Sequence, residues 1–77
     1  MTADKVFEKL GYKIDICEDY GLIRYKHIEK ECYIRFYLDG SKEFDANEIN
    51  ADEIFPLQIN MELLKAINKK CEELGWK

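Results

Sequence analysis

The hydrophobic pattern of this 77-residue chain changes period twice. Near the start, Ala3, Val6, Phe7 and Leu10 recur at helical spacing and form one apolar stripe. Thr2 stands where a helix cap belongs, Asp4 lies in the first turn, and Gly11 follows the last periodic residue. The pattern therefore predicts a helix over about residues 3–10. From Tyr12 the period drops to two. "YKIDI" puts Tyr12, Ile14 and Ile16 on one face and Lys13 and Asp15 on the other, and "EDYG" (18–21) supplies a turn. "LIRYKHI" follows with Ile23, Tyr25 and His27 opposed to Arg24 and Lys26. "CYIRFYL" is the clearest strand, with Cys32, Ile34, Phe36 and Leu38 on one face and Tyr33, Arg35 and Tyr37 on the other.

Asp39-Gly40 predicts a two-residue type I′ hairpin, whose central residues both need positive φ. A fourth strand, "KEFDA", should follow with Phe44 and Ala46 inward. Pro56 argues against a central strand between Asn47 and Gln58, which reads as a loop anchored by Ile49, Ile54, Phe55 and Leu57, with room for a short helical turn. The period then lengthens again. Asn60 caps a predicted helix over about residues 61–74, and Ile59 and Leu64 have the spacing of a hydrophobic staple. Leu64, Ile67, Cys71 and Leu74 share its apolar face, widened by Met61 and Leu63, while Lys65, Lys69 and Lys70 lie toward the opposite side. The expected architecture is one α+β domain spanning residues 1–77: helix, four-stranded antiparallel meander, helix, with both helices on one face of the sheet.

Two segments echo each other: "FEKLGYK" (7–13) and "CEELGWK" (71–77). Both fit a Schellman stop, in which a left-handed glycine at C′ lets the C″ side chain fold back on C3. That assigns Tyr12 to Phe7 and Trp76 to Cys71, with no ligand needed.

Composition narrows the class. Ten aromatics in a short chain carry much of a thin core. No apolar run approaches the ~20 residues of a membrane span, and the N-terminus lacks the apolar stretch of a secretory signal. Three cysteines (Cys17, Cys32 and Cys71), none in a C-x-x-C pair, fit free thiols in a reducing cytoplasm. The net charge is −4, but its distribution matters more. From Glu43 to Glu62 there are six acids and no Lys or Arg, whereas the remaining chain carries a net +2. Such a field steers a basic partner, or simply keeps a loop solvated.

Catalytic signals are sparse. His27 is the sole imidazole available to a Cys–His pair, and nothing in the sequence supplies a third, orienting group. The three cysteines and His27 lack the close-spaced pairs of zinc sites. "DANEINADE" fails the calcium-loop pattern at Ile49, at Asn50 in place of Gly, and at Pro56 in place of Glu. No phosphate-binding glycine motif occurs. The chain is expected to be no enzyme and to need no cofactor or metal.

The predicted outer sheet face interleaves aromatics with bases: Arg24, Lys26, Tyr33, Arg35 and Tyr37, joined by Lys13. Single-stranded nucleic acid and protein partners are both bound by such surfaces, and a solvated face with cross-strand pairs looks the same in sequence. "CYIRFYL" lacks the RNP1 glycine and aromatic spacing.

The ends of the chain, "TADKVFEKLGYK" and "MELLKAINKKCEELGW", resemble a group of short uncharacterised proteins of phages and prophages of Gram-positive bacteria. The match at the C-terminal end runs through Leu64, Ala66, Ile67, Asn68, Glu73, Leu74, Gly75 and Trp76. The chain departs from that pattern at Asn60, where Thr or Ser is usual, and at Leu63, where Glu is usual. The resemblance implies an accessory gene product acting in the host cytoplasm, with no activity to carry over.

The expectation is a non-enzymatic protein that binds a host or phage protein. Binding would use the Tyr33, Arg35, Tyr37, Arg24 and Lys26 face, the acidic segment with Glu48, Asp52 and Glu53, or both. In its sharper form the acidic segment imitates a nucleic-acid backbone and occupies a nucleic-acid-binding defence factor. Two other uses fit: a single-stranded RNA or DNA module on the open face, and a small-molecule or nucleotide sponge with a pocket between sheet and helices. Pairing with a second copy through a free sheet edge is also compatible with the layout.

Overall fold

A computed structural model describes residues 1–17 and 21–76, with residues 16 and 17 described by backbone alone. The order is α1 (Ala3–Lys9), β1 (Tyr12–Cys17), β2 (Leu22–His27), β3 (Cys32–Tyr37), β4 (Phe44–Asn50), β5 (Glu53–Pro56) and α2 (Met61–Glu73). The five strands form one antiparallel meander in sequence order. The turn expected at 18–21 lies outside the described residues, apart from Gly21.

Both helices cover one sheet face. Ala3 and Phe7 of α1 and Leu63, Ala66 and Ile67 of α2 close over Tyr12, Ile23, Tyr25, Cys32, Ile34 and Phe36. Phe7 stacks on Tyr25 with ring centroids 4.1 Å apart, and Phe36 meets both rings edge-on. The buried Tyr25 hydroxyl donates to Asp4 of α1. Lys70 of α2 lies over the same ring, and its neighbour Glu73 accepts the Ala3 N–H at 2.7 Å. The apolar stripe of α2 therefore centres on Leu63, Ala66 and Ile67. Leu64 and Met61, expected on the apolar face, are exposed, because the face turned to the sheet runs through Leu63, Ala66 and Ile67.

Both helix starts behave as expected: Thr2 accepts from Lys5 N–H and Asn60 from Leu63 N–H. The two stops differ. At α2 the full Schellman pair forms, Gly75 N–H to Glu72 and Trp76 N–H to Cys71, and Trp76 packs toward Phe36. At α1 Gly11 N–H reaches Glu8, but Tyr12 is drawn into β1 opposite His27, so only its ring keeps the fold-back, edge-on to Phe7.

The sheet corrects three expectations. First, there are five strands, not four: residues 47–58, expected as a loop, form most of a hairpin. Second, its two-residue turn is Ala51-Asp52, both left-handed (φ 52° and 64°), with no glycine. Third, Asp39-Gly40 makes no such turn. The Asp39 carboxylate accepts the Ser41 N–H, Gly40 and Lys42 take positive φ, and the loop closes with Tyr37 N–H to Glu43. The fourth strand accordingly starts at Phe44, not Lys42. A bulge at Asp15 also sets Ile16 opposite Arg24, shifting the alternation expected for β1.

Pro56 fits β5 for a specific reason. Leu57 N–H bonds Ala46 C=O at 3.0 Å, so pairing alternates back to Phe55–Glu48. Ile54 and Pro56 therefore aim their main-chain groups away from β4, and the proline's missing N–H costs no ladder bond.

Gly11 and Gly75 separate strain from crowding. Both are left-handed, yet a Cβ on Gly11 would lie 2.6 Å from His27 Nε2, while one on Gly75 meets nothing within 4 Å. Gly75→Ala should cost about 1 kcal/mol through backbone strain alone. Gly11→Ala should cost clearly more, since the His27 ring is held by the Glu29 and Lys30 N–H groups and by the edge of Tyr12. Urea denaturation of the two variants checks this, and equal losses would show the imidazole free to move aside.

Candidate functional site

The candidate residues divide between two surfaces. Arg24, Lys26, Tyr33, Arg35 and Tyr37 lie on the face away from the helices. Glu48, Asp52 and Glu53 belong to the β4–β5 hairpin, where Asp52 is in the turn and Glu48 and Glu53 alternate toward the helix side.

The outer face is closed by its own charges. Pairing sets Arg24 beside Arg35, and Arg35 beside Asp45. Each guanidinium takes a two-point grip on a carboxylate: Arg24 on Asp15 at 2.9 and 2.8 Å, and Arg35 on Asp45 at 2.9 and 2.6 Å. The bulge in β1 brings Asp15 to Arg24 by setting two residues against one. The Tyr33 ring lies between the two cations, 5.6 and 5.0 Å from their centres, and Tyr37 donates to Asp45 at 2.9 Å. Two like charges on neighbouring strands are thus each neutralised and share one ring. As a result Tyr33 is only 7% exposed on a face that sequence reasoning left open. Lys26 remains half-exposed, with Glu31 at 4.0 Å.

The carboxyls respond to this arrangement. Asp15 is held below its ordinary pKa mainly by the Arg24 hydrogen bonds. For Asp45, burial alone would push the pKa up, but the Arg35 and Tyr37 hydrogen bonds override it and the net direction is down. Arg35 is shifted up by the same contact, and Tyr37 by burial and then Asp45.

The hairpin is the opposite case. Among the described residues, Glu43, Glu48, Asp52, Glu53 and Glu62 form no ion pairs. Ile49 and Ile54 are cross-strand partners on the outer side, with Ile54 65% exposed, and Phe55 stands 40% exposed on the other side. Sequence reasoning took these apolar residues for loop anchors. The adjacent strand formers Ile54 and Phe55 were the available signal, hidden by the proline.

His27 and Cys32 line one cavity, but among the described residues no hydrogen bond joins them. His27 Nδ1 accepts from the N–H groups of Glu29 and Lys30, and Cys32 Sγ lies 3.4 Å from the Tyr12 hydroxyl. Burial, and then the Cys32 contact, raises the Tyr12 pKa, and burial raises that of the Cys71 thiol. No three described His, Cys, Asp or Glu side chains gather as metal ligands would. The Cys17 side chain lies outside the described residues.

Depressed carboxyls lend stability that is complete above their unfolded pKa of ~3.9 and lost as pH falls through the folded value. Stability should therefore drop below about pH 4. Each pair is about one-third exposed, so solvent screening limits its contribution to ~1 kcal/mol or less. Urea midpoints at neutral and acid pH should differ less for Asp15→Asn/Asp45→Asn than for the parent; an unchanged difference would assign the acid loss to other groups.

Among known proteins, no family model, no curated protein and no solved structure matches this chain.

Proposed function

We propose that this chain is a non-enzymatic binding protein, an accessory product of a phage or prophage, that engages a protein partner in the host cytoplasm through its β4–β5 hairpin. The observation that carries this reading is the combination at the hairpin of exposed Ile49, Ile54 and Phe55 with Asp52 and Glu53, which form no ion pair among the described residues, in a stretch without a single Lys or Arg. Apolar anchors supply affinity and the unscreened acids supply steering. The partner is a basic protein surface with an apolar hollow. In the sharper form, that surface is the nucleic-acid site of a host defence factor, and the hairpin carboxylates stand in for phosphates.

The outer face supports this role less. A stacking platform needs an open ring, and Tyr33 is covered, while both guanidinium groups that would meet phosphate are committed to Asp15 and Asp45. Self-pairing along β5 is limited in the same way, since Ile54 offers the one outward N–H of the Ile54/Pro56 pair.

The test is capture from host lysate on immobilised protein, with the Asp52→Asn/Glu53→Gln/Ile54→Ser variant as control and circular dichroism to confirm its fold. A protein retained by the parent, indifferent to nuclease and lost from the variant, supports the proposal. Its binding should weaken as salt rises, more steeply for the parent than for Asp52→Asn/Glu53→Gln. Capture abolished by nuclease, or equal on the variant, would sink it.

A further inference from the structure

A cavity of about 260 Å³ opens at one end of the sandwich, between the start of β3, the middle of β4 and the first turn of α2. Its floor is made by buried Tyr12, Cys32 and Leu63, with Leu10 and Leu57 as apolar walls. Its rim is not apolar. Residues 44, 46 and 48 of β4 alternate toward the helices, and where Phe44 and Ala46 meet core residues, Glu48 puts a carboxylate opposite Cys32. Glu48 is exposed at the cavity mouth, and among the described residues it forms no ion pair, so its charge is open to a ligand.

Lys30 lines the same cavity from the β2–β3 turn, and it too forms no ion pair, with Glu48 or with any other described acid. Its backbone is fixed, since the Glu29 and Lys30 N–H groups both donate to His27 Nδ1 at 3.1 Å. One cation and one anion thus border one cavity with a partly apolar floor, without meeting. The Gln58 and Asn60 amides join them at the rim.

We propose that this cavity binds a small zwitterion with an apolar side group, of the free amino-acid class. The ligand carboxylate pairs with Lys30, its ammonium pairs with Glu48, and its side group rests on Tyr12, Cys32 and Leu63. The cavity's two charges cancel, which matches a ligand of zero net charge. A volume of this order has room for an apolar amino acid, at ~30 Å³ for each water-sized group. The site lies apart from Asp52, Glu53 and Ile54, so it stands independently of the hairpin proposal.

Titration of the protein with leucine, methionine and phenylalanine, followed by amide chemical shifts, tests this. At least one should give saturable shifts at Leu10, Cys32 and Leu63. For leucine, 4-methylpentanoate lacks the ammonium and 3-methylbutylamine lacks the carboxylate, and whichever amino acid binds should exceed its two analogues of this kind at least about tenfold. Lys30→Gln should bring its affinity down to that of the amine, and Glu48→Gln to that of the acid. The Asp52→Asn/Glu53→Gln/Ile54→Ser variant should bind like the parent. No saturable shift for any of the three at ~10 mM, or equal affinity for the binder and both its analogues, overturns the proposal.

Discussion

The stacked rings of Phe7 and Tyr25 are the contact on which the rest of the structure depends. A short chain has little interior, so its largest buried side chains decide where its layers meet. Tyr25 stands in the second strand and brings a hydroxyl that cannot be left unsatisfied indoors. Asp4 accepts it, which fixes the rotation of the first helix about its own axis. The last helix is then located twice over. Lys70 covers the same ring, and Glu73 satisfies an N–H at the start of the first helix. Both ends of the chain thus converge on one tyrosine.

That convergence explains how charge is distributed over the surface. With the helices committed to one face, the other must be soluble by its own means, and the Asp15–Arg24 and Arg35–Asp45 grips do this at the expense of available cations. Unsatisfied chemistry is left where the helices do not reach: the β4–β5 hairpin, and the open end of the sandwich beside Glu48. The outer face, by contrast, has both of its arginines committed to carboxylates.

Much of this was legible in the sequence. Both helices, their caps and three strands followed from period, from Thr2 and Asn60, and from Gly11 and Gly75, since each of these signals acts over a few residues. What was hidden depends on neighbours in space. Pro56 breaks a central strand but is harmless on an edge whose N–H faces outward, and the sequence does not say which strand is the edge. Asp39-Gly40 carries the usual hairpin dipeptide, but the Asp39 side chain turned the loop another way, and Ala51-Asp52 took the tight turn. The burial of Tyr33 needed two arginines from different strands, one of them held by a carboxylate that a bulge had re-aimed. Of the candidate site, the acidic bias was plain, while the isoleucine pair beside it became visible only once 47–56 was a hairpin.

Pro56 has one more consequence. A hairpin that presents isoleucines beside an open strand has the makings of a seed for fibrous growth, in which each added chain extends the ladder. Here the recruiting strand ends in a residue with no proton to give, and Glu53 puts a charge at its other end. A newcomer would find a single donor at Ile54 before the ladder stopped. The hairpin can therefore expose its isoleucines without recruiting a further strand, because its own backbone refuses the next strand.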